Sequence, residues 1–229
     1  MKFTKMQDCS QCLLKCDIYR AMGSRDGDCQ GSALFHAHYR KHEVICKQGT
    51  DVTHAKFLVK GTAKLYIEGL NNRNIILYLL KPPAYIGLLA FFESPYYSYS
   101  VAALEDAEVC FIDLCLVKRM YVENHELLLS LNQAFGKSVA NIMKKIISLN
   151  QKQIRGRLAE NLIYLSKIYG GNQFRMALTR KEIGEMTAIS EENTVRLLSE
   201  FSRENIISTR GREIEILDMP LLEKISEFG

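Results

Sequence analysis

The stretch Thr179–Leu198, TRKEIGEMTAISEENTVRLL, decides how this 229-residue chain is read. Thr179 is a good helix N-cap, and Glu182 follows three residues later, so a capping box is available. Ile183, Met186 and Thr187 then fall on one face at helical spacing. Gly184 puts no side chain where a second helix must approach closely, and Ala188 occupies a tight turn. Ser190 is a second N-cap, and Glu191 and Glu192 suit the positive end of the next helix. Glu192 and Arg196 are four residues apart and share a face; Leu197, Leu198 and Phe201 lie on or near the opposite one. Two short capped helices around a small turn residue form a helix-turn-helix. Its second helix offers an arginine fork suited to guanine and a glutamate suited to cytosine. The competing reading is a solvated Glu–Arg pair on an ordinary surface helix.

The flanking sequence supports the first reading. Before the motif, IRGRLAENLIYLSKIYG (Ile154–Gly170) is amphipathic, with Leu158, Leu162, Leu165 and Ile168 expected inward and Gly170-Gly171 as the stop. After it, ISTRGREIEILD (Ile207–Asp218) reads as a strand, a turn at Gly211 and a second strand, a wing that sets Arg210 or Arg212 near phosphate. From Lys41 to Asp113 short apolar runs alternate with turn signals: AKLYI (Ala63–Ile67) after Gly61, then NIILYLL (Asn74–Leu80) after EGLNN. Such spacing suggests a β sandwich or roll. Between the two halves, roughly His125 to Gln153, Leu128, Phe135, Ile142 and Leu149 repeat every seven residues, interleaved with Asn132, Val139, Ile146 and Gln153. That seam points to a coiled-coil homodimer; the alternative is one helix packed on its own domain.

The pattern T-R-x-E-I-G, here Thr179, Arg180, Glu182, Ile183 and Gly184, followed by S-x-E-x-x-x-R, here Ser190, Glu192 and Arg196, resembles the DNA-reading element of Crp/Fnr-type transcription regulators. The resemblance runs from about Ala33 to about Leu217. It implies an α+β chain: an N-terminal antiparallel β-roll (a double-stranded β-helix, cyclic-nucleotide-binding-like), a long dimerisation helix and a C-terminal winged helix-turn-helix. The expected divisions are a cysteine-rich arm over 1–30, the roll over 31–123, the long helix over 124–153 and the DNA-binding domain over 154–229. Gly49, Gly61, Gly69 and Gly87 fall where the roll turns. The resemblance further implies that Glu192 and Arg196 read a core containing a G·C pair, with Thr179, Arg180 and Ser190 on phosphates; Glu191 is a further candidate DNA-binding residue. The partners are then a pseudo-palindromic DNA duplex and RNA polymerase. Two positions depart from the pattern. Ala188 replaces the usual turn glycine, tolerable if that backbone is not left-handed, and Val195 stands where the Fnr branch carries a base-reading serine.

The roll of this family holds an anionic effector, and YIGLLAFFESPYYSYSVAAL (Tyr85–Leu104) is similar to its phosphate cassette. The cassette glutamate is Leu88 here and its arginine is Ser98, and no Lys or Arg occurs from Pro82 to Val117. A buried phosphate without a cationic partner is costly, so cyclic AMP is not the expected effector. Gly87, Leu88, Ser98 and Tyr99 mark the candidate pocket. Phe91, Phe92, Tyr96, Tyr97 and Tyr99 either line it for a small apolar ligand or pack the roll against the long helix.

Seven cysteines are present: Cys9, Cys12, Cys16, Cys29, Cys46, Cys110 and Cys115. The spacing C-x2-C-x3-C of Cys9, Cys12 and Cys16 places three thiols close together. Thiolates of this kind hold an iron–sulfur cluster or zinc; the other readings are a redox disulfide or no site. In the Fnr branch an N-terminal cluster and one central cysteine, matched here by Cys110, hold a 4Fe-4S cluster. The last N-terminal gap is shorter here, so Cys29 is an alternative to Cys16 or Cys110. His36, His38 and His42 raise haem as a further candidate, against ordinary surface residues.

Composition adds bounds. The formal net charge is +4, yet from Gln151 to Gly229 there are 12 Lys/Arg against 12 Asp/Glu. Phosphate attraction must come from local clusters such as Lys152, Arg155 and Arg157, or Arg210 and Arg212. No apolar run approaches the ~18 residues of a membrane span, and no apolar signal core opens the chain, so a cytoplasmic location is expected. A different class of function, a small redox enzyme or zinc-binding module, predicts activity that survives deletion after Gln153. No general base, phosphate-gripping loop or nucleophile accompanies the thiols, so a non-enzymatic role is expected.

Overall fold

The computed structural model describes residues 2–4, 16–22, 34–88 and 95–229. Two compact units are present: Met1–Glu68 with Tyr78–Asn141, and Gly69–Leu77 with Ile142–Gly229. The chain passes from one unit to the other inside a long helix and at either end of the segment Gly69–Leu77.

The first unit is built on two antiparallel sheets. One has the order β1 (Lys2–Thr4), β2 (Leu34–Tyr39), β9 (Ala107–Asp113), β4 (His54–Lys60), β7 (Ala84–Ile86). The other has the order β3 (Val44–Cys46), β8 (Ser100–Ala103), β5 (Ala63–Ile67), β6 (Ile75–Leu80). The expected strand AKLYI is β5, and NIILYLL becomes β6 one residue late. At Gly61, between β4 and β5, φ is +86°, and an added Cβ would lie 2.6 Å from the Asp106 carbonyl oxygen. Only glycine fits both conditions there.

Strand β9 is not half-buried. Val109, Cys110, Phe111 and Ile112 are all buried, which requires cover on both faces. Cys110 and Ile112 join Phe57 and Leu88 in an apolar cluster completed by helices. Those helices are α1 (Asp17–Met22), through Ile18; α2 (Leu114–Glu123), through Leu116, Val117 and Met120; and the start of α3 (His125–Gln151), through Leu127 and Leu131. A fully buried side chain of this size contributes about 1.5–3 kcal/mol. Asp113 caps α2 by accepting from Leu116 N–H, and Asn124 accepts from Leu127 N–H at the start of α3, both at 3.0 Å.

The second unit holds the rest of α3, then α4 (Ile154–Tyr169), β10 (Gln173–Arg175), α5 (Arg180–Thr187), α6 (Glu191–Arg203), β11 (Ile207–Arg210), β12 (Glu213–Ile216) and α7 (Met219–Phe228). Leu158, Leu162 and Leu165 of α4 are fully buried, but Ile168 is only half-buried. The helix stops at Gly170, which is left-handed as a C-cap favours. Strands β11 and β12 form the expected hairpin around Gly211, and β10 adds a third strand on the far side of β12. Helix α7, which the sequence reading did not include, is capped by Asp218 and has Pro220 in its first turn. No described helix is long and apolar enough to cross a membrane.

Candidate nucleic-acid interface

Helix α5 is locked at its start. Thr179 Oγ1 accepts from Glu182 N–H at 3.2 Å, and Glu182 Oε2 accepts from Thr179 N–H at 2.7 Å. Ile183, Met186 and Thr187 are buried as their spacing requires. Gly184 meets its expected neighbour: an added Cβ would lie 2.7 Å from the Ile189 carbonyl oxygen and 3.1 Å from Thr194 Oγ1. The turn differs from expectation. Ala188 has φ 52° and ψ 46°, so the departure from glycine falls on a left-handed residue after all. That backbone costs an L-residue roughly 1–2 kcal/mol. The carbonyls beside it face two cations: Lys145 Nζ donates to Met186 O at 2.8 Å, and Arg157 Nη1 to Ala188 O at 3.5 Å. Positive charge at this helix end opposes the strain.

Helix α6 begins at Ser190, whose hydroxyl accepts from Asn193 N–H at 3.1 Å. Leu197, Leu198, Phe201 and Thr194 are buried, so the helix is fixed by one face. Glu191, Glu192, Val195, Arg196 and Ser199 are exposed on the other. Arg196 does not settle on Glu192. Its guanidinium donates to Glu200 Oε1 at 3.0 Å and Asn193 Oδ1 at 3.4 Å.

The cations sort in a way the sequence hides. The candidate phosphate cluster near the start of α4 is engaged internally. Lys152 Nζ bonds Glu160 and Ser226, Arg155 grips Glu200 and Glu204, and Arg157 faces the Ala188 carbonyl. Arg180 is half-buried and donates to the Gly211 carbonyl at 2.8 Å, tying α5 to the wing turn. Its other terminal nitrogen is buried without a partner among the described residues, and burial lowers its proton affinity. Arg210 and Arg212 at the wing tip are exposed.

Along α3, Leu128, Phe135, Val139, Ile142 and Leu149 are half-buried and Ile146 is 59 % exposed. Leu129, Met143 and Ile147 join it as large exposed apolar residues. Asn132 accepts from Tyr121 Oη within the same chain, and Gln153 lies beyond the helix as the N-cap of α4.

In the roll the four marked pocket residues part company. Gly87 N–H donates to Tyr99 Oη at 3.0 Å, and Tyr99 is buried. Leu88 instead joins the helix-facing cluster, and Ser98 is exposed. Phe91 and Phe92 lie outside the described residues. Tyr96 is 51 % exposed, while Tyr97 is buried with its hydroxyl unpartnered among the described residues; it is Phe57, Tyr85 and Leu88 that pack on the helices. A cation missed by the sequence reading stands inside: Lys56 is buried, donates to the Ile45 carbonyl at 3.1 Å and lies 4.7 Å from the Tyr97 ring and 5.2 Å from that of Phe111. A lysine on a strand reads as solvent-facing, so its only signal was its place among Ala55, Phe57 and Leu58. A cavity lined in part by Ile18, Val52, Lys56, Gly87 and Leu88 measures about 20 Å³, room for little more than a water molecule.

Cys9, Cys12 and Cys29 lie outside the described residues. Cys16, just ahead of α1, is half-buried and packs on the apolar cluster that contains Cys110. Two of the four candidate ligands therefore share one region of the fold. Cys46 is buried in the roll, which pushes its thiol up to about 12, and Cys115 is exposed. Among the described residues no group of three or more His, Cys, Asp or Glu side chains is placed to hold a metal ion. His36 is buried and bonded to Glu108 at 2.6 Å, so it is not the surface residue expected.

A capped helix-turn-helix with a wing, carried on the same chain as a double-sheet β domain, defines a DNA-binding transcription regulator. Residues 36–124 match the cyclic nucleotide-binding domain and residues 156–225 the Crp-like helix-turn-helix domain. The transcriptional regulatory protein btr of Bordetella pertussis is 28 % identical over 170 residues, covering 72 % of this chain and 70 % of that one. The cAMP-activated global transcriptional regulator CRP of Salmonella typhimurium is 26 % identical over 191 residues, covering 80 % and 91 %. The structure of FixK2 from Bradyrhizobium japonicum superposes with a TM-score of 0.76 at 18 % identity, covering 84 % of this chain and 96 % of that one. The chain belongs to the Crp/Fnr family of DNA-binding, non-enzymatic transcription regulators.

Proposed function

We propose that this regulator binds a pseudo-palindromic operator as a homodimer, with α6 in the major groove and a signal taken up in the N-terminal half. The observation that carries the reading is the two-sided character of α6: one face buried through Leu197, Leu198 and Phe201, the other exposing Glu192 and Arg196. Arg196 reads a guanine and Glu192 a cytosine edge, while Ser190 and Thr179 lie near phosphates. Arg180 acts chiefly through the wing it holds, and Arg210 and Arg212 supply charge to the backbone. Dimerisation is supported by the exposed apolar residues of α3; paired recognition helices about 34 Å apart would meet successive half-sites. RNA polymerase is the partner whose recruitment or exclusion the bound dimer controls. Selection of operator sequences with the full chain tests the reading. A two-fold-related motif is expected, with preference at one base pair per half-site relaxed in Arg196→Ala by about 1–3 kcal/mol. Equal loss on every sequence would remove the base-reading role.

The signal is not cyclic AMP in this reading. Support comes from Leu88 and Ser98 at the cassette positions, the first turned to the helices and the second to solvent. A redox, oxygen or nitric oxide signal is favoured by the thiols. Cys16 and Cys110, on one apolar cluster, would supply two ligands of a 4Fe-4S group, with Cys9 and Cys12 completing the set and Cys29 the alternative to Cys16 or Cys110. Such a group would supply oxygen- or nitric-oxide-sensitive chemistry when bound. Anaerobic absorption spectra with iron, sulfide and zinc analysis decide the matter; a colourless protein that resists reconstitution leaves an iron-free sensor of small molecules in the roll.

A further inference from the structure

Arg196 is 56 % exposed in its side chain, and a long side chain at that exposure ordinarily samples many rotamers. Here it is restrained from below. Glu200 Oε1 accepts from its Nη1 at 3.0 Å, and Asn193 Oδ1 accepts from its Nη2 at 3.4 Å. Glu200 is itself held: its side chain is 22 % exposed, and its second oxygen accepts from Arg155 Nη1 at 3.3 Å. Arg155 is fixed in turn, bonded through two nitrogens to Glu204 at 3.1 and 2.7 Å and lying 4.9 Å above the ring of buried Phe201. One carboxylate thus bridges a guanidinium at the start of α4 and a guanidinium on the outward face of α6.

We propose that Glu200 is the positioning residue for Arg196, pinned by Arg155, and so sets base preference without touching DNA. This rests on the reading that Arg196 contacts a base. A guanidinium carries five N–H donors; Glu200 and Asn193 each take one N–H, from Nη1 and Nη2, and leave donors to meet the paired acceptors of a guanine edge. Holding the fork in place removes rotamer entropy before binding rather than during it. Arg155 also offsets the negative charge that Glu200 would otherwise set facing phosphate.

The test measures full-chain binding to the selected operator and to its single-base-pair variants, for wild type, Glu200→Ala, Glu200→Gln, Arg196→Ala and the Glu200→Ala/Arg196→Ala pair. Glu200→Ala should lower discrimination at the base pair that Arg196→Ala identifies, by roughly two- to fivefold, the range of a partly exposed ion pair. Glu200→Gln, which keeps an acceptor, should retain most of it, and Glu200→Ala should add nothing once Arg196 is gone. Arg155→Met keeps its stem over Phe201 and offers a second route if Glu200→Ala fails to fold; it should weaken the same preference. Unchanged discrimination, a uniform change on all sequences, or a gain would overturn the positioning role. Arg196→Ala with full discrimination would overturn it through the base-reading role instead.

Discussion

Lys145, on α3, donates to the carbonyl oxygen of Met186 at 2.8 Å, in the last turn of α5. Beyond that bond lie the left-handed Ala188 and then Ser190, the cap of α6. The long helix thus reaches the turn of the helix-turn-helix through one ammonium group. Burial is the main cause that lowers the Lys145 ammonium from 10.5 to about 8, with the Glu160 carboxylate pulling the other way.

This shift sets a pH dependence. Below about 8 both folded and unfolded chains hold the proton; between about 8 and 10.5 the unfolded chain binds more. Stability contributed by this group therefore rises with pH across that window. Arginine does not titrate there. Wild type should gain on Lys145→Arg as pH is raised from 7 to 10 in denaturant unfolding. Parallel stability curves would refute the buried titration.

Ala188→Gly should stabilise the second unit by roughly 1 kcal/mol, since glycine adopts the left-handed backbone without strain. Its side chain is exposed, so little packing is lost. Gly184→Ala should act in the opposite sense by about 1–3 kcal/mol, because the new Cβ would meet the Ile189 carbonyl at 2.7 Å. Thermal unfolding of the pair checks both signs. A stabilising Gly184→Ala would mean that α6 can shift away freely.

Lys56→Met should raise stability at pH 7 by about 1 kcal/mol. The ammonium has one carbonyl acceptor and two aromatic faces to offset its desolvation. Methionine keeps most of the volume and removes the charge. A loss above about 2 kcal/mol, the penalty of an orphaned buried carbonyl, would show that the bond to Ile45 dominates.

Ile146→Glu, alone or with Met143→Glu, should shift the chain toward monomer in sedimentation and weaken operator binding together. Both residues are exposed apolar positions on α3, at 59 % and 61 %, where a charge costs nothing unless a partner covers them. An unchanged sedimentation coefficient would exclude this face as the dimer seam.

The helix-turn-helix was legible because its determinants are local. Thr179, Glu182, Gly184 and Ser190 act within a few residues of themselves, and the structure uses each as the spacing implied. Strand β5 and the start of α3 were legible for the same reason. What escaped depends on distant partners. Arg155 looked like a free cation until Glu200 and Glu204 were brought beside it, and Lys56 looked like a strand-surface residue until Tyr97 and Phe111 closed over it. Helix α7 carries its own local signals, the Asp218 cap and Pro220 in the first turn, beyond the end of the wing. The split of Leu88 from Ser98 depends on helix residues distant in sequence, Leu116, Leu127 and Leu131 among them, that cover the first and not the second.

Internal use of Lys152, Arg155 and Arg157 has an effect on how this protein searches a genome. Binding to arbitrary DNA is driven by counterions that basic side chains displace from phosphates. With those three withdrawn, and acids equal to bases from Gln151 onward, few ions are released per encounter. Affinity for bulk DNA should be low and shallow in its response to ionic strength. Most copies should then stay unbound between operators, with occupancy of a promoter set by recognition chemistry rather than by a reservoir of molecules sliding along the chromosome.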